Sequence, residues 1–157
     1  MDSAVDFWYP PSAFPLESVI EISDLTVTIQ HSHDEDQGHP TALRIENGER
    51  SVFTERLRAD PSISTVEVCG SSASTHLYLI EWSDNARTFF EPFVSYGGWI
   101  ETVRGTGEGW HLRVLFPTGQ AIKDTYERLV GRDQPPHLER IYDLANHDSS
   151  APALPEP

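Results

Sequence analysis

Hydrophobic and polar positions alternate along this chain in blocks, and the blocks come in a recurring order. Leu25, Val27 and Ile29 alternate with Thr26, Thr28 and Gln30, the period of a half-buried strand. Tyr78, Ile80 and Trp82 share one face of a second such segment, and Trp110, Leu112, Val114 and Phe116 share one face of a third. Between strands the period lengthens to that of a helix. Leu16, Val19 and Ile20 follow a capping Ser12, and Val52, Phe53 and Leu57 lie in 49–59 ahead of the breaker Asp60-Pro61. Phe89, Phe90, Phe93 and Val94 follow Asp84 and stop at Gly97-Gly98, with Pro92 inside. Ile122, Tyr126 and Leu129 follow a capping Thr118 and stop at Gly131.

The resulting order is strand, helix, strand, strand, helix, strand, twice over. Matching strand starts are Val5 and Leu77, Leu25 and Trp99, Leu43 and Leu112, and Ile63 and Leu138, separated by 72, 74, 69 and 75 residues. A near-constant offset of this length marks a duplicated supersecondary unit. The expected fold class is α+β: tandem βαββαβ units of ferredoxin-like or ACT-like type, over 4–70 and 75–143. Two four-stranded antiparallel sheets and four main helices follow, with the small residues Ser71–Ser74 as linker. Residues 144–157 lack periodicity and carry three Pro, the composition of a disordered tail or linker.

Composition narrows the function. Asp and Glu number 25 against 11 Lys and Arg, giving a net charge of −14, and Lys123 is the one lysine. An acidic, lysine-poor surface suits a halophilic cytoplasm, where salt screens self-repulsion. It does not suit direct contact with DNA, which needs a basic face. There is no apolar run of membrane-spanning length and no basic-then-apolar leader. The single Cys69 excludes an internal disulfide framework and reads as a reduced structural thiol ending a strand, with a sensor thiol as the alternative.

Candidate chemistry is sparse. His31, His33 and His39, with Asp34, Glu35 and Asp36 among them, are suitable metal ligands, but the spacing is loose and no second cluster completes a shell; an acidic loop is the expectation and no metal is assigned. Gly105-Thr-Gly-Glu-Gly109 joins two strands, so it reads as a hairpin rather than a phosphate cradle, which runs from a strand into a helix. Trp82, Trp99 and Trp110 read as core packing, with a ligand platform as the alternative. No nucleophile elbow, zinc-protease motif or paired cysteines occur, and the chain is expected not to be an enzyme and to need no cofactor. A small acylphosphatase-like hydrolase is the remote alternative. It needs an Arg in a strand–helix loop, which YPPSAF and EWSDNA lack, and Arg87 falls inside a helix.

At RGTGEGWHLRVLFP (104–117), with LRADPSISTVEV (57–68), YLIEWS (78–83) and RIYDL (140–144), the chain resembles haloarchaeal regulators of the bacterio-opsin activator type. The resemblance spans most of 4–144. It implies an N-terminal regulatory domain of an archaeal transcription regulator, whose helix-turn-helix would follow a linker such as SAPALPEP and is absent from this chain. The partners so implied are DNA through that head alone, a second copy as a homodimer, and a small-molecule ligand. A stand-alone ACT-like ligand-binding module is the alternative. Leu138, Ile141 and Tyr142 are expected to anchor the last strand, through which a signal would leave.

Overall fold

A computed structural model describes residues 2–20, 26–30, 41–47, 50–72 and 74–144. Eight strands form one antiparallel sheet: β1 (Ser3–Tyr9), β2 (Thr26–Gln30), β3 (Thr41–Glu46), β4 (Ile63–Ser72), β5 (Thr75–Trp82), β6 (Trp99–Thr106), β7 (Gly109–Phe116) and β8 (His137–Asp143). Helices α2 (Arg50–Ala59), α3 (Asp84–Val94) and α4 (Gly119–Leu129) have ten or eleven residues, and α1 (Glu17–Ile20) is a single turn after a 3-10 turn at Pro11–Ala13.

The strand order is β4-β5-β3-β2-β6-β7-β1-β8. The expected pair of separate four-stranded sheets is therefore a single continuous one. Its halves meet where β2 pairs with β6, Val27 to Gly105 and Ile29 to Val103. Joining there satisfies backbone groups that two separate sheets would each have left as an open edge.

Chain order and sheet order part company at β1 and β5. The segment 71–74 is not a spacer between units: Ser72 pairs with Thr75, and β4 and β5 form a continuous hairpin. So tight a turn obliges β5 to lie beside β4, between it and β3. The corresponding place in the other half, between β7 and β8, is taken by β1. Each half of the sheet thus contains a strand from the other half of the chain, and the two four-stranded groups have matching order read from either edge.

One irregularity in each edge strand also matches. Cys69 is an extra residue in β4 where Tyr78 pairs with Val68 and Leu77 with Gly70. Glu139 is an extra residue in β8 where Phe7 pairs with Leu138 and Asp6 with Arg140.

Alternation decides which face is buried. Val5, Phe7 and Tyr9 of β1, Tyr78, Ile80 and Trp82 of β5, and Trp110, Leu112, Val114 and Phe116 of β7 join Phe53, Leu57, Phe90, Phe93 and Leu129 from the helices in one core. Phe14 stacks on Trp110 at 4.5 Å between ring centres and meets Phe90 edge-on. Gly105 lies directly under Trp110, and a Cβ there would fall 2.5 Å from the ring. That explains one glycine of the 105–109 run. The turn itself is Gly107-Glu108, closed by the Thr106–Gly109 pair, as the hairpin reading requires.

Helix ends obey local chemistry. Thr118 accepts from the Ala121 amide at 3.0 Å, and Asp60, with Pro61, ends α2 while its Oδ1 accepts from the Ser62 amide at 2.9 Å. Ser83, rather than Asp84, occupies the cap position of α3. Pro92 does not interrupt α3. It lacks the N–H that would reach the Thr88 carbonyl one turn back, and Arg132 Nη2 donates to that carbonyl instead, at 2.8 Å.

Some expected core positions prove exposed. Val52 is turned outward on α2, Trp99 is 49% exposed, so Trp82 and Trp110 alone of that trio are core, and Ile141 is 53% exposed at the sheet edge. Edge position explains the last: Ile141 pairs with buried Val5 but has no further strand beside it.

Candidate functional site

Among the described residues the helices cover one face of the sheet and leave the other open. Side chains paired across strands point to the same face, so register identifies the open surface. One row crosses the whole sheet: Leu77 opposite Arg44, Arg44 opposite Thr28, Thr28 opposite Arg104, Arg104 opposite His111, His111 opposite Trp8, and Trp8 opposite His137. In a chain with 11 Lys and Arg, the four arginines Arg44, Arg104, Arg113 and Arg140 all lie on this face. The other seven lie on or next to the helices.

The second half of the open face is filled by an interlocked network. Asp6 accepts from Arg113 Nε at 2.8 Å and Nη2 at 3.2 Å, a two-pronged ion pair from β7 to β1. The Tyr142 hydroxyl donates to Asp6 Oδ2 at 2.8 Å, and Arg113 and Arg140 lie over the Tyr142 ring at 5.0 and 5.2 Å. Burial alone would raise the Asp6 carboxyl, but the hydrogen bonds from Arg113 and Tyr142 and the nearby arginine charges bring it below its ordinary range. The Asp6 carboxylate in turn raises the Arg113 guanidinium. Alongside, His111 Nδ1 stands 3.2 Å from Glu139. A concavity of about 360 Å³ between Ala4, Glu101, Arg113, Leu115, Tyr142 and Leu144 borders the network.

The first half presents the same backbone with different side chains. Where Asp6 faces Arg113, Leu77 faces Arg44. Where Arg140 pairs with Asp6, Gly70 pairs with Leu77, and there is open space around the position of a Cβ. Where Tyr142 pairs with Ala4, Ser72 pairs with Thr75. Beside Leu77 and Arg44, on the Ala42 and Leu79 side, lies a groove of about 220 Å³ lined by Thr28, Ala42, Arg44, Cys69, Leu77 and Leu79, with Leu43 and Tyr78 beneath. Among the described residues Arg44 has only the exposed Glu46 carboxylate at 3.4 Å as an ion-pair partner, two residues along its own strand. Cys69 is exposed on the groove rim, at the β4 irregularity and three residues before the strand ends, so it is neither buried nor terminal.

A third concavity, about 570 Å³, lies on the helix side between Ala13, Asn85, Thr88, Phe89, Arg132 and Gln134. Arg132 there is committed to the Thr88 carbonyl and lies 5.1 Å over the Phe89 ring. Beneath Phe89 the buried Tyr9 hydroxyl is pushed up by desolvation, against the pull of Arg132. These groups repair a helix and pack an aromatic core.

The 31–39 histidines and carboxylates lie outside the described residues, as do the 21–25 segment and the 145–157 tail. Among the described residues no three His, Cys, Asp or Glu side chains are grouped as a metal site requires, and no helix is long and apolar enough to cross a membrane. Arg87 is exposed on α3. The groove was not legible in advance, because Leu77, Gly70 and Arg44 meet only through pairing of β3, β4 and β5. The signal available in sequence was the pair Arg44 and Arg113, separated by the same 69 residues as Leu43 and Leu112; the match of Asp6 to Leu77 comes from register alone. Compared with models of protein families, with curated proteins and with solved structures, the chain matches none.

Proposed function

We propose that this chain is the regulatory, non-catalytic domain of an archaeal helix-turn-helix transcription regulator of the bacterio-opsin activator type, with the open sheet face as its sensory surface. In this reading the fold is a tandem pair of ferredoxin-like βαββαβ units that have exchanged first strands. The groove receives the signal, a second copy completes a homodimer, and the protein works in a cytoplasm of high salt.

The observation that carries the reading is the connection between that face and the last strand. Tyr142 of β8 is held on the open face by Asp6, Arg113 and Arg140, and the Leu144 amide after it donates to the Asp2 carbonyl at 2.8 Å. Any change in how the open face is occupied or packed therefore bears on the strand that leads to the tail, as coupling between two sites requires. The net charge of −14 leaves DNA contact to a separate head.

The test fuses a helix-turn-helix domain of the same class after Pro157 and compares it with residues 1–157 alone. The bare chain is expected to leave duplex DNA unretarded and the fusion to bind it, with Tyr142→Phe in the fusion altering the response to signal. Specific DNA binding by the bare chain, or a response indifferent to every open-face substitution, would overturn the reading.

A further inference from the structure

We propose that the first-half groove binds a small aromatic carboxylate. Its carboxylate takes the two-pronged bond from Arg44 that Asp6 takes from Arg113, and its ring lies along the groove against Leu77, Leu79 and Cys69. The inference deepens the sensory reading and rests on it for biological meaning, while the binding itself rests on the comparison of two matched surfaces within one molecule.

The second half shows the arginine's fork occupied. There the chain supplies both components, the Asp6 carboxylate on the Arg113 fork and the Tyr142 ring under two guanidinium faces. The first half keeps the arginine and removes both components. Leu77 replaces the carboxylate with an apolar floor, Gly70 leaves open space at the place of Arg140, and Ala42, Leu79 and Cys69 stand where the other half has His111, Trp8 and Glu139. Arg44 pairs with an exposed carboxylate whose attraction is weak in water, so its fork is available to a ligand at little cost. Arg104, one strand beyond Thr28 in the same row, forms no ion pair among the described residues and adds positive potential in an otherwise acidic chain. Apolar floor and wall with one forked cation together select a flat apolar acid over a polar anion such as phosphate.

The probe is phenylacetate, and the readout is alkylation of Cys69, the single cysteine, by iodoacetamide on the intact 157-residue chain. Phenylacetate should slow alkylation and raise the melting temperature, with a dissociation constant on the order of 0.1–1 mM for a ligand of this size. Phenylacetamide, the same shape without the charge, should bind roughly tenfold more weakly or worse, and cyclohexylacetate should be intermediate. Arg44→Gln should lose protection by roughly tenfold. Leu77→Asp should abolish it, because it supplies Arg44 with an internal carboxylate. Arg140→Gln, in the other half, should leave protection unchanged. Protection by phenylacetamide equal to that by phenylacetate, full protection in Arg44→Gln, or no protection by millimolar phenylacetate would each overturn the site. Should Leu77→Asp fail to fold, Arg44→Gln carries the same decision at an exposed position. Binding in the isolated chain together with a fusion that ignores phenylacetate would keep the site and end the regulator reading, so the two fail separately.

Discussion

The two halves of the sheet differ most where their backbones agree most. Both have an arginine on the third strand of the group, Arg44 in β3 and Arg113 in β7, facing the strand that comes from the opposite half of the chain. In the second half that strand presents Asp6, and the arginine, the carboxylate and Tyr142 lock three strands together. In the first half it presents Leu77, and a groove lies beside it. A surface held by charge-assisted bonds is rigid and already satisfied. A surface of exposed Leu77, bare Gly70 and a weakly paired arginine is left with unmet potential, which is the physical condition for binding.

The largest effect should come from separating the halves. Residues 1–70 expressed alone lack β5, and 71–157 alone lack β1, so each sheet group loses an interior strand and much of its core. Neither fragment should show cooperative unfolding by circular dichroism, whereas mixing them should restore it. Independent folding of either fragment would mean that the exchange of strands can be undone.

Next in size is conversion of the second half into a copy of the first. Asp6→Leu leaves Arg113 and the Tyr142 hydroxyl without their shared acceptor on a part-buried face. It should cost about 1–2 kcal/mol in denaturant unfolding, the range for charged hydrogen bonds discounted for solvent screening. A change within error would show that the network is ornamental to stability.

The same carboxylate gives the halves different acid sensitivity. Its folded pKa lies below its ordinary value of 3.8. Its contribution is therefore fully present above that value and is lost as pH falls through the lower, folded one. The stability gap between wild type and Asp6→Asn should accordingly be constant near neutral pH, begin to narrow as pH falls toward 3.8 and close once pH is below the lower, folded value. A gap that widens with acid would contradict the assigned ion pair.

The smallest effect is expected at the matched arginine. Arg44→Gln disturbs only an exposed pair and should move stability by less than about 0.5 kcal/mol, against a larger loss for Arg113→Gln. Equal losses would show that Arg44 has a structural partner and that the groove is not free.

The sequence alone determined the strands, three of the four expected helices and the buried face of most of them. Strict alternation from Trp110 to Phe116 could bury only one side of β7, Thr118 and the Asp60-Pro61 step marked helix ends by local hydrogen bonding and sterics, and two residues at Gly107-Glu108 could only turn a hairpin. The recurring offsets were also visible, and with them the likeness of the two strand groups. What they did not reveal was which group each first strand would join. Tertiary structure decided that: the 72–75 turn placed β5 beside β4, leaving β1 to pair with strands more than a hundred residues away. The difference between a filled and an empty face followed from it, since Asp6 meets Arg113 across 107 residues and Tyr142 across 136. Local periodicity records which way a side chain points, but the identity of its neighbour is set by strand pairing, a cooperative property of the whole sheet.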